Sequence, residues 1–118
     1  LNIDAHRTER ALVHGAAAGW TGQVSVFASG VSEGAPCYRC WVPEPPPDAE
    51  ACDGVGVVGP VTGMTSTAMA LEVIKFVTGA GNTLIGSLLL LDGLNASCRK
   101  VILRRDKQCP DCSGVSPI

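Results

Sequence analysis

Two Cys-x-x-Cys knuckles stand far apart in this chain, Cys37-Tyr38-Arg39-Cys40 and Cys109-Pro110-Asp111-Cys112. Together they offer the four thiolates that a closed tetrahedral zinc site takes. In a zinc ribbon such knuckles lie about 15–20 residues apart, but here almost the whole second half of the chain separates them. A metal held by both would tie the end of the chain to a loop in its first third. Loop-closure entropy grows only slowly with length, so the extra cost of that long loop is modest. Two disulfides or a thioredoxin-type redox pair are the competing readings. A redox knuckle opens a helix after a strand, whereas Cys37 follows a glycine turn and Cys40 runs into Pro43 and Pro45-Pro46-Pro47. Structural zinc on Cys37, Cys40, Cys109 and Cys112 is the preferred reading, with disulfides the remaining alternative.

The 118 residues suffice for one core, and residues 1–118 read as a single, partial domain. With 46% hydrophobic residues but only 4% aromatics, that core must be built from Val, Leu, Ile and Ala. A formal charge of −2 with no basic run makes a poor nucleic-acid binder. No apolar run reaches the roughly 18–20 residues that span a bilayer, and no signal peptide opens the chain. Six cysteines without a secretory signal favour a reducing compartment and metal ligation, so a cytoplasmic location is expected.

Ile3 to Arg10 reads as the tail of an exposed helix. Leu12 to Ala18 reads as a buried strand, and Gln23 to Phe27 alternates with period two as a second strand, antiparallel to the first across a turn at Gly19 to Gly22. Residues 41–53 shift to proline and carboxylate. Three consecutive prolines forbid helix and cannot enter a ladder, so this is an extended loop, with Cys52 at its far end. The next segment, Gly54-Val55-Gly56-Val57-Val58-Gly59, matches Gly-x-Gly-x-x-Gly letter for letter. It lacks the preceding strand and the acidic residue at the end of a second strand, and is rejected as a dinucleotide fingerprint.

A long helix is delimited by Pro60 in its first turn and Gly79 at its C-terminal end. Val61, Met64, Ala68, Leu71, Ile74 and Val77 recur at helical spacing, and Ala70, Val73 and Phe76 widen the apolar surface. Glu72 and Lys75 are the main polar marks. A helix so widely apolar is expected to pack on more than one side, and Gly63, Ser66 and Ala70 would admit a close backbone. Leu84 to Asp92 and Cys98 to Arg104 read as two further strands joined by Gly93-Leu94-Asn95-Ala96. The expected fold is α/β: a mixed, largely antiparallel sheet with one long central helix and a four-cysteine zinc staple. It reads as half of a larger layered architecture.

Pro36-Cys37-Tyr38-Arg39-Cys40, Gly56-Val57-Val58-Gly59-Pro60-Val61-Thr62-Gly63, Ala70 to Gly79 and Leu91-Asp92-Gly93 with Cys109-Pro110-Asp111-Cys112 fall in one order. On these blocks the chain resembles the C-terminal half of the ThiF/MoeB/HesA adenylyltransferases, bacterial relatives of ubiquitin-activating enzymes. Leu1-Asn2, Leu12-Val13 with Gly15-Ala16-Ala17, Gly22-Gln23-Val24 and Leu103-Arg104-Arg105-Asp106 extend the likeness over nearly the whole chain. The resemblance implies an enzyme that uses ATP and magnesium to adenylate the C-terminal glycine of a ubiquitin-like sulfur carrier. The acyl-adenylate then becomes a thiocarboxylate at the expense of a sulfur donor. It implies that the four cysteines are the family's structural zinc site, that residues 41–53 are its crossover loop, and that the enzyme is a homodimer. Cys52 falls where many members carry a cysteine that links to the carrier, which implies a catalytic or linking role. The nearby helix N-terminus would favour its thiolate, while Glu50 and Asp53 beside it oppose ionisation. The family's nucleotide-binding residues do not occur in this sequence, so the chain by itself is expected to be inactive. The pathway, thiamin or molybdopterin among others, is left open, and Met69 stands where relatives often have glutamine. The competing reading is a self-sufficient, zinc-stapled module that binds a partner protein and catalyses nothing.

The remaining candidates read as structural. Cys98 is expected to be a small apolar filler. His14 and His6 have no partner motif, and His14 reads as structural or surface. Arg39 is expected to donate to backbone carbonyls, with a carrier carboxylate as its alternative partner. Arg104-Arg105 reads as a solvated strand end.

Overall fold

The computed structural model describes residues 1–44 and 56–114. Helix α1 (Asn2–Arg7) leads into the antiparallel pair β1 (Leu12–Ala18) and β2 (Thr21–Phe27). A single helical turn, α2 (Tyr38–Trp41), carries the first knuckle. The long helix α3 (Gly59–Thr78) is followed by β3 (Ser87–Asp92) and β4 (Ser97–Ile102). The four strands form one sheet in the order β1-β2-β3-β4, and every neighbouring pair is antiparallel. Two isolated bridges, Gly19 with Val57 and Val26 with Ile85, are parallel.

The helix begins and ends where its chemistry requires. Pro60 sits in the first turn, where its missing N–H leaves no bond unmade. Gly79 adopts φ 73°, the left-handed conformation that closes a helix cheaply only without a Cβ, and its N–H donates to the Lys75 carbonyl at 2.8 Å. Strand β3 starts later than expected, at Ser87 instead of Leu84. The Ser87 N–H turns back to the Leu84 carbonyl at 3.0 Å and Gly86 takes φ 78°, which interrupts the ladder there.

Helix α3 lies over β1 and β2, and glycines on those strands let it approach. A Cβ on Gly15 would lie 2.1 Å from the Met69 sulfur, and one on Gly22 would lie 2.1 Å from the Thr65 hydroxyl. Strand alternation puts Val13, Val24 and Val26 on that same face. With Leu84, Leu89, Ala68 and Met69 they form the aliphatic core.

The long helix does not bury the stripe its spacing suggests. Val61, Thr65 and Glu72 are its buried residues, whereas Met64, Leu71, Ile74 and Val77 are exposed. Its buried line runs through Val61, Thr65, Ala68, Met69 and Glu72, because Gly15 and Gly22 select the side chains that can reach the sheet. The buried Glu72 carboxylate accepts the Leu84 N–H at 2.8 Å and pairs with Lys75, whose ammonium donates to the Asn82 carbonyl at 2.7 Å. The end of α3 is thereby clamped to the chain entering β3.

Candidate functional site

The opposite face of the β1–β2 pair carries Leu12, His14 and Phe27, by strand alternation and register. The first knuckle packs there. The rings of His14, Phe27, Tyr38 and Trp41 form one cluster with centroid separations of 5.1–6.3 Å. Three of the five aromatic residues are thus gathered at one spot, a concentration the low aromatic content conceals. The signal for it lay in Tyr38 and Trp41, three residues apart in a helical turn and so on one side of it. His14 is half-buried, its Nε2 has no hydrogen-bond partner, and burial lowers its pKa from the ordinary histidine value.

Cys37 precedes the turn of α2 and Cys40 lies within it, with the Cys40 N–H donating to the Cys37 carbonyl at 3.1 Å. The second knuckle turns in the same way. The Asp106 carboxylate takes the Gln108 N–H at 2.9 Å, and the Asp106 carbonyl takes the Cys109 N–H at 3.1 Å. Arg105 donates its guanidinium to the Cys112 carbonyl. That guanidinium therefore staples the knuckle, where the sequence suggested only a solvated strand end.

These turns bring Cys37, Cys40, Cys109 and Cys112 together, with all four sulfurs within 4.8 Å of one another. Cys37 Sγ lies 3.8 Å from Cys40 Sγ and 3.6 Å from Cys109 Sγ, and Cys40 Sγ lies 3.4 Å from Cys112 Sγ. A tetrahedron with metal–sulfur bonds of about 2.3 Å has edges of about 3.8 Å, so the donor set fits zinc. The same separations are far beyond the ~2.05 Å of a disulfide, and all four cysteines are free. Cys37, Cys109 and Cys112 are buried. Burial pushes the Cys112 thiol well above its ordinary range, and the neighbouring Cys40 and Cys37 sulfurs push it further the same way. Such a cluster cannot ionise fully without a cation at its centre. Four protein ligands leave no open position, which is the arrangement of a structural rather than a catalytic metal.

Arg39 donates to the Pro43 carbonyl at 3.4 Å, the kind of partner expected, and also pairs with the Asp111 carboxylate at 2.9 Å. Cys98 departs from expectation. It is exposed at the start of β4, a strand exposed along its whole length, and does not fill the core. Cys52 and most of the proline-rich segment 41–53 lie outside the described residues, as do the first two residues of the rejected glycine motif, 54 and 55. Beside the aromatic cluster, on the sheet face away from α3, a groove of about 930 Å³ is lined by Ala16, Ala18, Gln23, Leu90, Asp92 and Arg99, among others. Among the described residues no helix is long and apolar enough to cross a membrane.

Fold and site together define a sheet carrying a helix on one face and, on the other, an aromatic cluster with four cysteines placed so that they could hold a metal ion. The chain belongs to the ThiF family, whose model matches residues 1–111. It is 46% identical over 104 residues to the adenylyltransferase and sulfurtransferase MOCS3-1 of Zea mays, covering 86% of this chain and 21% of that protein. It is 43% identical over 105 residues to the sulfur carrier protein adenylyltransferase of Thermus thermophilus, covering 86% of this chain and 39% of that protein. The chain thus spans well under half the length of these relatives. Among solved structures, E. coli MccB with ATP superposes with a TM-score of 0.76 over 96% of this chain and 35% of its own. At 13% identity that likeness is one of fold.

Proposed function

We propose that the chain is the zinc-bearing, carrier-docking part of an ATP-dependent adenylyltransferase that activates the C-terminal glycine of a ubiquitin-like sulfur carrier. The observation that supports this most is the 43% identity to a sulfur carrier protein adenylyltransferase over 86% of the chain. Zinc on Cys37, Cys40, Cys109 and Cys112 would hold the chain end against the aromatic cluster beneath the sheet. The groove beside that cluster, lined by small alanines of β1 together with Gln23, Asp92 and Arg99, suits an extended carrier tail. Cys52 would link covalently to the carrier. ATP and magnesium would be handled by residues outside this sequence, in the cytoplasm. The exposed apolar side of α3 suits a homodimer or an adjoining part of the same enzyme, because apolar patches of this kind mark interaction surfaces.

The test has two arms. The isolated chain should bind the carrier in a titration yet support no carrier-dependent exchange of pyrophosphate into ATP. The complete gene product should support that exchange. A complete protein that binds the carrier without exchange would make the chain part of a non-catalytic module, and failure to bind would remove the docking role. Cys52→Ala should leave the fold and adenylation intact and abolish only covalent capture of the carrier.

A further inference from the structure

The two knuckles are joined by more than their sulfurs. Asp111 lies inside the second knuckle, and its two carboxylate oxygens face different partners. Oδ1 accepts the Arg39 guanidinium of the first knuckle at 2.9 Å, and Oδ2 accepts the Asn2 side-chain amide at 2.9 Å. The Asn2 carbonyl oxygen in turn accepts the Tyr38 N–H of the first knuckle at 3.0 Å. Asn2 therefore touches both knuckles at once, using its donor on one and its acceptor on the other. Asp111 is largely buried, at 13% exposure, whereas Arg39 is 44% exposed, so the two bonds of Asn2 are better shielded from competing water than the Arg39 pair.

We propose that Asn2, Asp111 and Arg39 are positioning residues that hold the two knuckles in register and so set how long the metal is retained. The inference rests on the zinc reading of the four cysteines. Cys37 and Cys109 are 72 residues apart, and without a cross-link beyond the metal each dissociation would let the knuckles part. The polar brace keeps the vacated thiols facing one another, so rebinding competes with escape. Partners that orient metal ligands from outside the coordination shell are commonly worth about 10–100-fold in affinity. Because Asn2 opens α1, the brace also makes metal retention depend on how α1 is seated. That seating is fixed by a hydrogen bond between His6 Nδ1 and Ser29 Oγ at 2.8 Å and by the close approach of Gly30 to the His6 carbonyl.

The experiment is the rate of zinc release from the purified protein to a chromogenic chelator in excess at fixed pH. Far-UV circular dichroism of each loaded variant checks that the sheet is intact. Asp111→Ala and Asn2→Ala should each speed release by about tenfold or more. Asn2→Asp alone sets two carboxylates against each other and should release faster still. Asn2→Asp combined with Asp111→Asn moves the carboxylate to the helix side but leaves every donor facing an acceptor. That exchange should return release to near the wild-type rate, which a merely structural contribution of either residue would not do. Wild-type rates in all single variants, or an exchange variant no slower than the singles, would overturn the brace while leaving the metal site standing. A wild-type protein that carries no metal would overturn both.

Discussion

Below the sheet, the knuckle region closes on itself. Above it, α3 does not. On the knuckle side each polar group of the brace meets a partner within this chain, and three of the four cysteines are buried. On the helix side, α3 buries Glu72 at 4% exposure while leaving Ile74 and Val77 at 58% and 76%. A carboxylate inside and isoleucine outside reverse the usual order, and each is explained locally. Glu72 is buried because it supplies the acceptor that the Leu84 N–H lacks, and a buried polar group is tolerated only when satisfied. Ile74 is outside because the sheet meets only one line of the helix. The comparison teaches that the four-cysteine region finds its polar partners within the chain. The outer face of α3 carries the composition of an interior without one.

The contrast can be broken in several places. Cys109→Ala should lose the metal and destabilise the protein by several kcal/mol, since metal binding is coupled to folding. Unchanged zinc content and melting temperature would remove the knuckle from the stable half of the comparison. Glu72→Ala leaves the Leu84 N–H without an acceptor and Lys75 with the Asn82 carbonyl but no carboxylate, for a loss of about 3 kcal/mol in denaturant unfolding. Gly15→Val should cost about 1–3 kcal/mol by driving a side chain into Met69, and Met69→Ala in the same protein should recover part of it. Ile74→Glu, two residues from Glu72, should change the stability of the isolated chain by no more than about 0.5 kcal/mol. If the exposed side of α3 is an association surface as proposed, the same change should weaken that association.

The smallest effect is a pH dependence. Burial lowers the folded-state pKa of His14 below its unfolded value, so folding favours the neutral ring. Its contribution is fully present above the unfolded pKa of about 6.5 and is lost as pH falls through the folded-state value. Unfolding midpoints of wild type and His14→Phe should therefore run parallel above about pH 7 and diverge in acid, with wild type falling faster. Parallel curves throughout would place the ring in solvent.

Much of this was legible in the sequence, for identifiable reasons. Pro60 and Gly79 delimit α3 because each supplies a backbone property no other residue supplies as cheaply. The paired knuckles announced their meeting, since four thiols at that spacing have few other uses. The buried line of α3 was hidden because several apolar stripes share a period of 3.6. The choice between them is made by Gly15 and Gly22 on other elements. The Asn2–Asp111 contact was invisible for a related reason, as it joins residues 109 positions apart through chemistry common to any surface. Gly86 shortened β3 through a turn that a run of leucines obscures.

The account stands on metal at the four cysteines. Native mass spectrometry of the protein purified without chelator, paired with elemental analysis, tests it most directly. One zinc per chain, released on acidification together with a fall in melting temperature, is the expected result. A metal-free chain whose mass is lowered by the hydrogens of two disulfides, and whose melting is indifferent to chelator, would contradict it.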